Sequence, residues 1–169
     1  YAGGEVYTVT FTLAEQEVPT GPSSVLFLPG IMGSRLYTKD DDGDEDGLWE
    51  PNGNQDVRQL EMTDAGESVE SIYTRDVIDE AYGVRNLYSK FVEFMDGLKN
   101  ESIIHDWTPY AYDWRYGVVD IANGGTHYEE GIRDGIAEIE NLAGNSFSKK
   151  VTIVAHSNGG LLAKALLTR

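Results

Sequence analysis

The segment from Val151 to Gly160 constrains this chain more than any other. Val151-Thr152-Ile153-Val154-Ala155 is a short, nearly continuous apolar run, and Leu161 to Leu167 reads as the apolar side of a helix. A run of that kind suits a strand covered on both faces, the condition of strands in a parallel sheet. Only His156-Ser157-Asn158-Gly159-Gly160 lie between strand and helix, so the chain must turn within a few residues. A turn so sharp tolerates only small residues two before and two after the serine, and Ala155 and Gly159 hold those places. It also projects the serine hydroxyl above the sheet. An [Ala/Gly]-x-Ser-x-Gly match arises by chance on the order of 0.1 times in a chain of this size. Its placement between one strand and one helix is therefore what gives it meaning.

The flanking sequence predicts an α/β class. Val25-Leu26-Phe27-Leu28, ended by Pro29-Gly30, is a second buried-strand candidate. Two amphipathic helices are predicted between the strands. Over 86–99 the apolar positions Leu87, Phe91, Phe94, Met95 and Leu98 recur at helical spacing, and over 127–143 Ile132, Ile136, Ile139 and Ala143 do the same. Thr126 with Glu129 reads as a capping box for the second. Strands alternating with helices imply a mostly parallel sheet flanked by helices. With the serine turn, the pattern predicts an α/β-hydrolase fold from residue 25 onward. Ahead of it, Val6 to Leu13 alternates as a half-buried strand, either an extra edge strand or the end of a preceding β-rich domain at 1–18, and 19–24 reads as a Pro/Gly linker. Residues 38–82, with the acid-rich run Asp40 to Gly47, fit neither period and are expected to form an irregular insertion.

Charge and cysteine content remove several classes of function. The 13 Lys and Arg against 29 Asp and Glu leave a net charge of -16, which repels a phosphate backbone, so no nucleic-acid partner is expected. Zero cysteines exclude disulfide scaffolds, zinc ribbons and thiol catalysis. No window approaches the ~18–20 apolar residues of a membrane span.

A serine hydroxyl needs a base to accept its proton and donors to hold the oxyanion. Ser157 is the candidate nucleophile. One donor would be the backbone N–H after it, on Asn158, and the other the N–H of Ile31 in the loop Pro29-Gly30-Ile31-Met32-Gly33-Ser34, a position inferred from its place after an earlier strand. The usual order is Ser, then Asp or Glu, then His. His105, His127 and His156 precede or adjoin the serine and fit the base poorly, so the acid and base are expected C-terminal to Arg169 and the 169 residues alone are expected to be inactive. Asp113 and Arg115 sit at alternate positions near a strand end and could pair with each other or with a substrate. Asp42, Asp44 and Asp46 before Gly47 match the opening of a calcium loop, but the twelfth position is Gly53 and no flanking helix is evident. A solvated acidic loop without metal is the preferred reading, and no cofactor is expected.

Three segments together, Val25 to Leu36, Tyr112-Asp113-Trp114-Arg115 and Ala155 to Gly160, resemble the lecithin:cholesterol acyltransferase family in order and spacing. The resemblance covers roughly residues 25–169, which it implies are about the N-terminal half of such a catalytic domain, the C-terminal half being the remaining partner of this one. It implies a lipase, phospholipase or O-acyltransferase that works on lipid or other ester substrates through an acyl-enzyme, with Ser157 as nucleophile and the Ile31 and Asn158 amides as oxyanion donors. Animal members carry a disulfide-closed apolar segment after the Pro-Gly motif, where this chain has its acid-rich run. The charge and lack of cysteine suggest a secreted or cell-surface microbial protein. The rival reading is a non-catalytic extracellular binding module on a hydrolase-like scaffold.

Overall fold

The structure, a computed structural model, describes residues 19–81 and 85–169; the strand expected at Val6 to Leu13 lies outside them. The elements run in chain order as β1 (Ser24–Leu28), β2 (Leu36–Lys39), β3 (Glu45–Trp49), α1 (Asn54–Gln59), β4 (Glu80–Ala81), β5 (Arg85–Asn86), α2 (Ser89–Asn100), β6 (Trp107–Pro109), α3 (Val118–Gly124), β7 (Thr126–Tyr128), β8 (Gly131–Arg133), α4 (Gly135–Asn145), β9 (Val151–Ala155) and α5 (Asn158–Leu167). The molecule is mixed α/β. Its central sheet is parallel, with three strands in the order β6-β1-β9.

β1 sits in the middle and is buried along its whole length, as its continuous apolar run requires. Its side chains alternate between two cores. Leu26 and Leu28 pack with Tyr110, Tyr112, Ile121, Leu142, Leu162 and Leu166, beneath α3, α4 and α5. Phe27 and Val25 face the other way, onto Tyr88, Phe91 and Met95 at and within α2. Helices therefore cover both faces of the sheet. Ser24, read from the sequence as the end of a linker, is the buried first residue of β1.

Three sequence expectations are corrected. The helix over 127–143 begins only at Gly135. Thr126 to Arg133 form the antiparallel hairpin β7–β8, turned at Glu129 and Glu130 with Gly131 at φ 133° opening the return strand, and Thr126 Oγ1 accepts the Asp113 N–H at 3.0 Å instead of capping a helix. Asp134 is the cap, accepting from the Ile136 and Ala137 amides. Ile132, read as part of the helix's apolar face, is exposed on the hairpin. The helix over 86–99 starts at Ser89; Met95 is buried, Phe91 and Leu98 pack on the core, but Phe94 points outward. Part of the stretch expected to be irregular, 38–82, is regular: β2 and β3 pair as a hairpin over Leu36 to Trp49, α1 follows, and Leu36, Leu48 and Ile72 form a small core under Trp49, Leu60 and Trp114.

Candidate active site

Ser157 lies at the carboxyl end of β9, and the loop Pro29–Ser34 leaves the carboxyl end of β1, its sheet neighbour. The register Leu28↔Ala155 brings both loops to the same level. Ser157 itself takes φ 51° and ψ -120°, a conformation that costs a non-glycine residue about 1–3 kcal/mol and persists only where the surroundings enforce it. The enforcement is visible at Gly159. A Cβ there would stand 2.3 Å from the Leu28 carbonyl oxygen and 2.5 Å from that of Pro29, so α5 can begin this close to β1 only with glycine at that position. A Cβ on Gly30 would in turn meet His156 Nδ1 at 2.9 Å and Ser157 Cβ at 3.2 Å. The two loops are pressed together at their glycines.

The Ser157 residue is exposed, and among the described residues no side chain hydrogen-bonds its hydroxyl. Its neighbour Asn158 opens α5, a ten-residue helix whose amino end favours negative charge. Neither the Ile31 nor the Asn158 amide donates to a protein acceptor among the described residues. The three candidate residues are thus brought to one place, with the hydroxyl and two backbone donors unengaged. Ile31 and Met32 are exposed in the same loop, an apolar surface beside the serine turn.

The histidines are accounted for. His105 donates its amide to Ser23 at the amino end of β1, the opposite end of the sheet from Ser157, and its ring packs on Phe147. His127 belongs to the β7–β8 hairpin. His156 turns its Nδ1 to the Tyr88 hydroxyl at 2.9 Å. None of them bonds Ser157.

Asp113 and Arg115 bond each other. The pair is bidentate, with Arg115 Nη2 to Oδ2 at 2.6 Å and Nε to Oδ1 at 2.9 Å, and both side chains are buried. They lie in the turn after β6 rather than on a strand, with Tyr116 donating its amide to the Asp113 carbonyl. The residue of that motif nearest the site is Tyr112, which sequence reasoning passed over. Its hydroxyl donates to the Pro29 carbonyl at 3.0 Å and accepts from Asn158 Nδ2 at 3.2 Å, tying the two loops together. Burial pushes its phenol up to about 12, so it remains a neutral donor. A buried tyrosine must place its hydroxyl, but the partner here, the Pro29 carbonyl, is too far away in the chain to leave a sequence signal.

Asp42, Asp44 and Asp46 belong to the β2–β3 hairpin. Asp40 Oδ1 accepts the amides of Asp42 and Asp44, and Gly43 turns at φ 89°, so the run is a strand-to-strand turn stapled by its first aspartate rather than a helix-flanked loop. Among the described residues no three His, Asp or Glu side chains converge as metal ligands, and no helix is long and apolar enough to cross a membrane.

Comparison with protein-family models, with curated proteins and with solved structures found no match to this chain.

Proposed function

We propose that Ser157 is the nucleophile of an ester hydrolase or O-acyltransferase with an α/β-hydrolase fold, and that the Ile31 and Asn158 amides receive the oxyanion. The observation that carries this reading is the Ser157 conformation, φ 51° and ψ -120°, at a strand-to-helix turn whose Gly159 packs against the carbonyls of Leu28 and Pro29. The sheet order β6-β1-β9 supports it, because it sets the serine turn beside the loop that would supply the second donor. In the reaction Ser157 Oγ would attack the ester carbonyl as its proton passes to a base. The carbonyl oxygen, now anionic, would rest on the two amides, each such donor contributing about 2.7–4 kcal/mol to the transition state. Expulsion of the alcohol leaves an acyl-enzyme, which water or a second alcohol resolves. The base and acid must come from outside the described residues. Exposed, apolar Ile31 and Met32 beside the serine turn favour an acyl chain over a charged substrate.

The test is made on protein expressed from its whole coding sequence. Turnover of p-nitrophenyl butyrate and fluorophosphonate labelling of the Ser157 peptide are expected, with Ser157→Ala removing the label and lowering kcat by roughly 10³-fold or more. Absence of both would overturn the reading in favour of a binding module.

A further inference from the structure

The backbone pairing of β1 with β9 ends at the His156 N–H, which donates to the Leu28 carbonyl at 3.0 Å. Beyond that rung the strands have no common ladder, yet the site needs the Ile31 and Asn158 amides at a fixed separation. The next connection is made by side chains. The Gly30 N–H donates to the Tyr88 hydroxyl at 2.9 Å, and that hydroxyl lies 2.9 Å from His156 Nδ1. With its oxygen accepting from Gly30, the phenol has its hydrogen available for Nδ1, the arrangement in which His156 carries its proton on Nε2. Tyr88 is buried, stacks edge-on against Phe27 of β1, and precedes α2, so the bridge is anchored in the core. Other contacts hold the rest of the loop: Trp49 Nε1 donates to the Met32 carbonyl at 3.0 Å and Trp114 Nε1 to that of Ser34 at 3.1 Å. The Ile31 amide is left over in a loop whose Gly30 and Gly33 amides are both engaged.

We infer that Tyr88 and His156 are positioning residues: they extend the β1–β9 alignment by one side-chain rung past the sheet and hold the loop's Ile31 amide opposite the Asn158 amide. This rests on the reading of Ser157 as a nucleophile. It gives His156, the residue just before Ser157 in the turn, a task other than proton transfer. It also accounts for glycine at position 30, where a Cβ would press on the bridging ring.

Steady-state kinetics on p-nitrophenyl butyrate with the whole-coding-sequence protein, its His156→Ala, His156→Asn and Tyr88→Phe variants, tests the inference. An asparagine amide reaches the place of Nδ1, so His156→Asn should restore most of what His156→Ala loses. His156→Ala and Tyr88→Phe should lower kcat by roughly 10- to 100-fold, with KM changed by less than about 3-fold, because a displaced donor is felt in the transition state and not in the bound ester. A wild type that turns over while His156→Ala keeps kcat within about 2-fold overturns the inference and leaves the nucleophile in place. Should Tyr88→Phe fail to fold, the two exposed His156 variants decide. Wild type without turnover or Ser157 label overturns the nucleophile and this inference together, a different signature.

Discussion

At the residue scale, the site is a set of positions where ordinary side chains would not fit. Gly159 and Gly160 adjoin, but a Cβ on Gly159 would collide with two carbonyls, whereas one on Gly160 would meet nothing within 4 Å. Gly159→Ala should therefore cost about 1–3 kcal/mol of stability. Gly160→Ala should gain up to about 1 kcal/mol from helix propensity alone, and urea unfolding of the two variants checks both signs. Ser157 offers a second comparison. Because its φ of 51° suits glycine, Ser157→Gly should be more stable than Ser157→Ala by about 1 kcal/mol, the relieved strain being partly offset by glycine's unfolded-state freedom. Equal midpoints would show that the turn is unstrained. The small residues around Ser157 were legible in the sequence because steric demand leaves a one-letter signature. Tyr88 and Tyr112 were not, since a hydroxyl that bonds a backbone 58 or 83 positions away has no local pattern.

At the element scale, β1 was legible because burial on both faces leaves little choice of residue, and α5 because of the tight turn before it; β9 was legible from its apolar run, but in the described sheet it is an end strand with Thr152 and Ala155 exposed, not one covered on both faces. The β7–β8 hairpin was not legible. Ile132 falls in helical spacing with Ile136 and Ile139, and the decision for a hairpin came from tertiary bonds: Thr126 Oγ1 accepting from the Asp113 amide, the Tyr128 hydroxyl donating to the Ala111 carbonyl. The buried Asp113–Arg115 pair stiffens the turn between β6 and α3. Removing one partner strands a buried charge, so Arg115→Met should cost about 3–5 kcal/mol, measured by urea unfolding at neutral pH. In the β2–β3 hairpin, Glu45 accepts from Tyr73 and from Arg75, and these contacts hold its carboxyl below the ordinary value. A lowered folded-state value stabilises above the unfolded value of about 4.3 and loses that contribution as pH falls through the folded one. The stability gap between wild type and Glu45→Gln should thus be present at neutral pH and close in acid. A gap independent of pH would contradict the assignment.

At the scale of the whole molecule, a net charge of -16 on 169 residues means that carboxylates repel one another across most of the surface. Added salt should raise Tm, since screening this repulsion outweighs the loss of exposed ion pairs such as Lys90–Glu93. A Tm that falls between low and ~0.5 M salt would show that the ion pairs dominate.

The pairing Leu28↔Ala155 joins residues 127 positions apart, 155 less 28, and it has a consequence for the chain's birth. At about 5–20 residues per second, roughly 6–25 s pass on the ribosome between completion of β1 and emergence of the first residue of β9. For that interval a strand that ends up buried along its whole length has no partner on one side, a demand on holding chaperones that the finished fold conceals.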